Sequence, residues 1–293
     1  RRSQVRILPP RQIENLCKIC KGFFLYIYFM NSILKNKGSF LSYIFAFTFI
    51  LVMILSAILL KDKEIILPEV AALTVGIIIF RENKWIQRPF HIFLLPTITA
   101  ILGFGINFLP LQLSLKLILV LIAMLLTLRL FKSQLAPALA TGLLPIVTNA
   151  HSPLFLIAIL VFVFLLYLSI KLFRIKPTEN SVPINYIGHN RWLIGICLTW
   201  FLICYLTGYI YFSAIPPVIV ISFETLNNPA LKLYVRLKRI LVMFLASLIG
   251  CLTIKYLDNL LLAGLIDLTL IAILLKLMDL RLPPAFAMVI LPM

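Results

Sequence analysis

Eleven apolar runs dominate this chain and leave it few ways to fold. They occupy residues 39–60, 65–80, 90–109, 113–131, 135–149, 153–173, 192–212, 214–226, 239–254, 259–278 and 283–293, broken by charge, Pro and Asn. A helix needs about 20 residues to cross a hydrocarbon core. The runs 39–60, 90–109, 113–131, 153–173, 192–212 and 259–278 meet that length, whereas 65–80, 135–149, 214–226 and 239–254 are short. Only 13% of the 293 residues are charged and 62% are apolar, while a soluble domain carries about a quarter charged residues. This much apolar surface needs lipid as its solvent. The runs lack the alternation of a membrane β-strand, and helices satisfy their own backbone polar groups in lipid. The expected fold is all-α: a polytopic membrane protein of about eleven apolar segments.

The formal net charge is +17. Its placement argues against nucleic acid, because the cations form short clusters between apolar runs and no basic domain with interleaved aromatics exists. If every run crosses and the N-terminus is inside, 17 Lys and Arg fall on the inner side after residue 29. Only Lys61, Lys63, Lys116 and Lys255 fall outside. That asymmetry is a positive-inside pattern and predicts a cytoplasmic N-terminus in the cell membrane. Making 65–80 re-entrant would turn Arg81, Lys84 and Arg88 outward, so the count favours spanning short segments.

Both ends depart from this pattern. Residues 1–29 are basic, lack a membrane-length run, and precede Met30 and the cationic stretch Asn31–Lys37. They are expected to lie outside the native protein; the alternative is an interfacial segment over Phe23–Phe29. The last run breaks off at Met293, which predicts a second copy shortened by at least one helix. Cys17 and Cys20 have no second pair for zinc. Cys197, Cys204 and Cys251 read as buried apolar thiols. His91, His151 and His189 have no metal spacing, and no cofactor is expected.

The second half of the chain echoes the first. Residues 135–146 and 282–293 share six identities over twelve columns at an offset of 147, and Leu67-Pro68-Glu69-Val70 aligns with Pro216-Pro217-Val218-Ile219 at 149. A period near 148 predicts a duplicated unit: repeat one over 30–173, a polar cytoplasmic linker over 174–191, and repeat two over 192–293. Six segments per copy is an even number, so the copies should be parallel, related by an axis along the membrane normal.

Candidate functional residues follow from the short segments. Pro68, Pro137 and Pro217 sit near the N-termini of three of those segments, and Pro284 holds the place of Pro137 in the run 283–293; proline suits a first helical turn. Short helices bring unpaired N-terminal amides to membrane depth, where they favour anions; helix packing is the competing reading. Glu69 and Glu224 lie on two of these helices, and interface solvation accounts for either. Asp267, near the middle of 259–278, must face protein or water or be protonated, because a centred charge costs roughly 2.5–3.5 kcal/mol. Gly103 and Gly105 read as helix-packing positions. No metalloprotease, nucleophile-elbow or phosphate-loop motif is present, so no enzyme is expected.

The order of features resembles the HPP family of integral membrane proteins. The matching pieces are Leu67–Phe80, Gln87-Arg88-Pro89 and Leu135-Ala136-Pro137-Ala138, with Pro216-Pro217 and Leu282-Pro283-Pro284-Ala285 in the second half. Leu135 and Leu282 stand where the family signature has His. The resemblance implies transport of a small inorganic anion such as nitrite. The expected function is a transporter or channel for a small solute, an anion or a proton. The alternative is a membrane scaffold, or an enzyme acting on a lipid-linked substrate.

Overall fold

The computed structural model describes residues 37–175, 190–208, 216–227 and 231–293. The 1–29 tail with Cys17 and Cys20, most of the linker 174–191 including His189, and the side chains of Pro216 and Pro217 lie outside the described residues.

The described elements are α1 (Lys37–Leu60), a 3-10 turn (Lys63–Ile65), α2 (Pro68–Ile78), α3 (Asn83–Ile86), α4 (Pro89–Asn107), α5 (Leu113–Leu130), α6 (Pro137–Val147), α7 (Leu154–Leu172), α8 (Asn190–Leu206), α9 (Pro216–Leu226), α10 (Leu233–Tyr256), α11 (Leu260–Leu277) and α12 (Pro284–Ile290). No strand occurs among the described residues. Residues 37–44 open α1; the packing described below concerns residues 45–293.

Six helices are long and apolar enough to cross a membrane: the 40–60 part of α1, then α4, α5, α7, α10 and α11. Two differ from the sequence expectation. The run 239–254 belongs to a 24-residue helix that starts at Leu233, because Arg236, Lys238 and Arg239 are carried inside its first two turns. Lys and Arg are good helix formers, so a cationic cluster that ends an apolar run need not end a helix. Conversely, 192–212 contains a helix that stops at Leu206 after 17 residues. Gly208, with φ +77°, closes its turn, and only glycine enters that region without a steric cost.

The long helices turn apolar side chains outward, as lipid-facing surfaces do. On α5 the exposed stripe is Leu115, Leu119, Ile122 and Leu126; on α7 it includes Ile157, Leu160, Phe164 and Leu168. Cys251 is also exposed, contrary to expectation, while Cys197 and Cys204 are buried.

The short helices behave oppositely. Every residue of α2 is buried, and α6 is buried from Pro137 to Ile146. Among them, α2 packs against α6 and α12, and α9 packs against the same two. Four short helices thus form a closed cycle inside the long ones.

Lipid supplies no hydrophobic drive between helices, so such packing relies on close van der Waals fit and small residues. Gly103 on α4 faces the backbone of Gly142 on α6, and a Cβ there would collide with the Gly142 carbonyl. Gly250 on α10 meets the Val289 carbonyl on α12 in the same manner. Next to Gly103, the hydroxyls of Thr99 and Thr141 share a buried hydrogen bond of 2.6 Å. At one end of this pair Arg88 Nη1 donates to Phe131 O at 3.3 Å; at the other Asn107 Nδ2 donates to Ala150 O at 3.0 Å. The segment from Phe131 to Ala150 therefore runs parallel to α4 over its whole length, so an eleven-residue helix plus its flanks covers what α4 covers alone.

Gly103→Ala is expected to lower the midpoint of thermal unfolding in detergent, since overpacking against backbone costs about 1–3 kcal/mol. Gly105→Ala, where a Cβ meets open space, is expected to leave it unchanged or slightly raised. Tryptophan-fluorescence melts of the two variants would check the contrast.

Candidate functional site

Proline starts α2, α6 and α12, and each of these prolines reaches the same place. Pro68, Glu69 and Ala72 of α2, Pro137 and Ala140 of α6, Val220 of α9, and Pro284, Ala287 and Leu291 at α12 line one central cavity. It holds roughly 10 Å³, about the space one water occupies. Proline at the first position both fixes φ and supplies no amide that would need a partner. Alanine one turn later keeps the helices close.

The sequence reading expected free amides here, and the structure corrects it. The Val70 and Ala71 amides donate to Leu67 O, Ala138 to Leu135 O, and Leu139 to Ala136 O. These helix starts therefore bring a positive macrodipole end to the cavity, with most of their donors already closed on preceding carbonyls.

Glu69 is the second correction. It is not solvated at an interface: it is 2% exposed, and its Oε1 has no hydrogen-bond partner among the described residues. It is the lone ionisable side chain in the lining of this cavity.

A second, polar cavity of about 70 Å³ lies along the same helices. Its lining includes Glu82, Lys84, Gln134, Glu224, Asn227, Arg239 and Arg281. Glu224 follows Val220 by four residues on α9, which is roughly 6 Å at 1.5 Å per residue. Gln134 precedes Pro137 on the way into α6, and Pro283 adjoins Pro284. The two cavities therefore adjoin at the starts of α6 and α12 and along α9.

This end of the helices is electrostatically mixed but net cationic. Burial raises the carboxyl of Glu82 above its ordinary range, opposed by the positive charges of Arg281, Lys84 and Arg239. Burial lowers the Lys84 ammonium, opposed by Glu82 and Glu224. Arg239 Nε and Nη1 and Gln134 Oε1 are buried without a hydrogen-bond partner among the described residues. Buried polar atoms are normally satisfied, so these point to a polar occupant or water.

The structure thus brings Pro68, Glu69, Pro137 and Pro284 together at the central cavity and places Glu224 in the polar one. The side chain of Pro217 lies outside the described residues. Asp267 lines neither cavity. It is fully buried on α11, facing Thr253 of α10, and neither carboxyl oxygen has a partner at hydrogen-bond distance among the described residues. Sequence reasoning did not single out Arg239 and Gln134 as neighbours of one cavity. They are distant in sequence, and only the packing of α6, α9 and α10 joins them.

Six lipid-compatible helices around a buried core of short ones define a multi-pass helical membrane protein. No protein-family model matches the chain, and neither do curated proteins or solved structures.

Glu82 yields a pH test with a definite sign. Its carboxyl is raised on folding, so the unfolded chain ionises first as pH rises from about 4.5. Stability contributed by the protonated form is full below that point and is lost as pH climbs through the raised folded value. Unfolding midpoints across that window should fall with pH in the native protein and fall less in Glu82→Gln.

Proposed function

We propose that this protein moves a small inorganic anion across the cell membrane, along the axis between α2, α6, α9 and α12. The observation that carries the reading is the convergence of the proline-started turns of α2 and α6, with α9 and α12, on one water-sized cavity. Two helix N-termini turn their positive ends toward it. The adjoining polar cavity offers the unsatisfied Arg239 N–H groups to an incoming anion, and charged donors make the stronger hydrogen bonds.

The pathway would lie between two parallel repeats. Helices α5 (113–130) and α11 (260–277) are displaced by 147 residues at both ends, as are the starts of α6 (137) and α12 (284). The glycine contacts repeat at the same spacing, 103 to 250 and 142 to 289. So do the turns after α5 and α11. Lys132 and Asp279 both have positive φ, and Ser133 N→Leu128 O matches Leu280 N→Leu275 O. Into those turns, Arg88 Nη1 donates to Phe131 O and Lys238 Nζ to Met278 O.

The cationic end faces the cytoplasm by the positive-inside rule, which makes the polar cavity an inner vestibule. The HPP resemblance points the same way as to substrate class, with nitrite as the first anion to try.

Purified protein in liposomes is expected to pass nitrite or another small inorganic anion. Ala140→Leu fills the narrow cavity and should cut the flux about tenfold or more, the factor that roughly 1.4 kcal/mol added to a barrier produces. Flux equal to that of empty liposomes, or flux unaffected by Ala140→Leu with normal insertion, would count against this pathway.

A further inference from the structure

The central cavity contains a contradiction for an anion pathway, and Glu69 is its source. A carboxylate at a helix N-terminus is itself an anion in the place where the helix field favours one. Glu69 stands at the second position of α2, 2% exposed, with Oε1 unpartnered in a cavity otherwise lined by Pro, Ala, Val and Leu. A second anion beside that carboxylate would place two like charges within one water-sized space, and like charges that close cannot both be ionised. Either Glu69 occupies the site as a carboxylate, or it takes up a proton and the incoming anion replaces its charge.

We propose that Glu69 couples the pathway to protons: each anion that enters the central cavity does so with one proton bound on the Glu69 carboxyl. This deepens the transport reading and rests on it. The step is balanced. A hydronium ion of the bathing water gives up one O–H bond and remains as water, an O–H bond forms at a Glu69 oxygen, the carboxylate charge disappears, and the anion restores one negative charge at the helix starts.

No other carboxyl among the described residues lines the central cavity. Helices α6 and α12, packed against α2, carry no ionisable residue. Among the described residues α7 has Tyr167 and Lys171, both in its last two turns, with Lys171 over the Tyr167 ring, and α9 has Glu224, which lines the polar cavity instead. Residues 45–60 of α1 have none. Leading into α2 are Asp62, Lys63 and Glu64, with Asp62 capping the 3-10 turn. Lys84, on the far side of α2, belongs to the polar cavity.

Anion binding to the purified full-length protein, with nitrate and nitrite as probes, tests this. Calorimetry in buffers of different ionisation enthalpy reads the protons taken up per anion. The native protein is expected to take up about one proton per anion, and its affinity should fall about tenfold per pH unit once Glu69 is ionised, the slope of a one-proton linkage. Glu69→Gln, a neutral carboxamide of the same shape, is expected to bind with no proton uptake and no pH dependence. Should Glu69→Gln fail to fold, Glu69→Asp is expected to retain the uptake of one proton with a displaced pH midpoint. Proton uptake that survives in Glu69→Gln, binding to the native protein without proton uptake, or an unmoved midpoint in Glu69→Asp would overturn the coupling and leave the transport reading standing. Failure of both anions to bind the native protein would overturn both.

Discussion

The arrangement depends on how closely α4 can approach α6. A segment with only eleven helical residues can stand at membrane depth only if protein surrounds it, because lipid offers its extended flanks no hydrogen-bond partners. Gly103 provides that enclosure by letting the α4 backbone reach the Gly142 carbonyl. The Thr99–Thr141 hydrogen bond and the two end clamps, Arg88 to Phe131 and Asn107 to Ala150, then hold the segment in register along α4. With α6 buried in this way, α2 and α9 pack on it in turn, and α12 closes the cycle.

That enclosure also creates the chemistry. Helices that start at Pro68, Pro137 and Pro284 point their first turns at one cavity, and the amides of those turns are satisfied by the carbonyls just before them. Among the described residues, Glu69 Oε1 in the central cavity and Arg239 and Gln134 in the polar one remain without a hydrogen-bond partner, as do Glu64, His91 and Asp267 outside both cavities. A buried polar group without a partner is costly.

Much of this architecture was legible from residue order. Each apolar run holds a helix, and the prolines at 68, 137 and 284 lie in the first turns of theirs. The proline signal works because φ and the missing amide act locally. Where the reading failed, the deciding interaction was non-local or the local cue had two meanings. Arg236, Lys238 and Arg239 served as a boundary by charge, yet by backbone preference they continue α10. Glu69 reads as an interface residue from sequence because it lies near the outer end of a short helix; only the packing of α6 and α12 on α2 shows that it is buried. Gly103 and Gly105 were indistinguishable in sequence, and only Gly103 faces a backbone.

The central claim is that the four short helices meet around one cavity, α2, α6 and α12 by their first turns and α9 at Val220. Cysteines introduced in pairs at Ala72 and Ala287, and at Ala140 and Val220, in a background without the five native cysteines, test it in intact membranes with a short thiol-specific cross-linker. Both pairs are expected to link efficiently, while a pair of Ala72 with Leu126, on the lipid face of α5, should not. Absence of linkage at both central pairs in normally inserted protein would contradict the account.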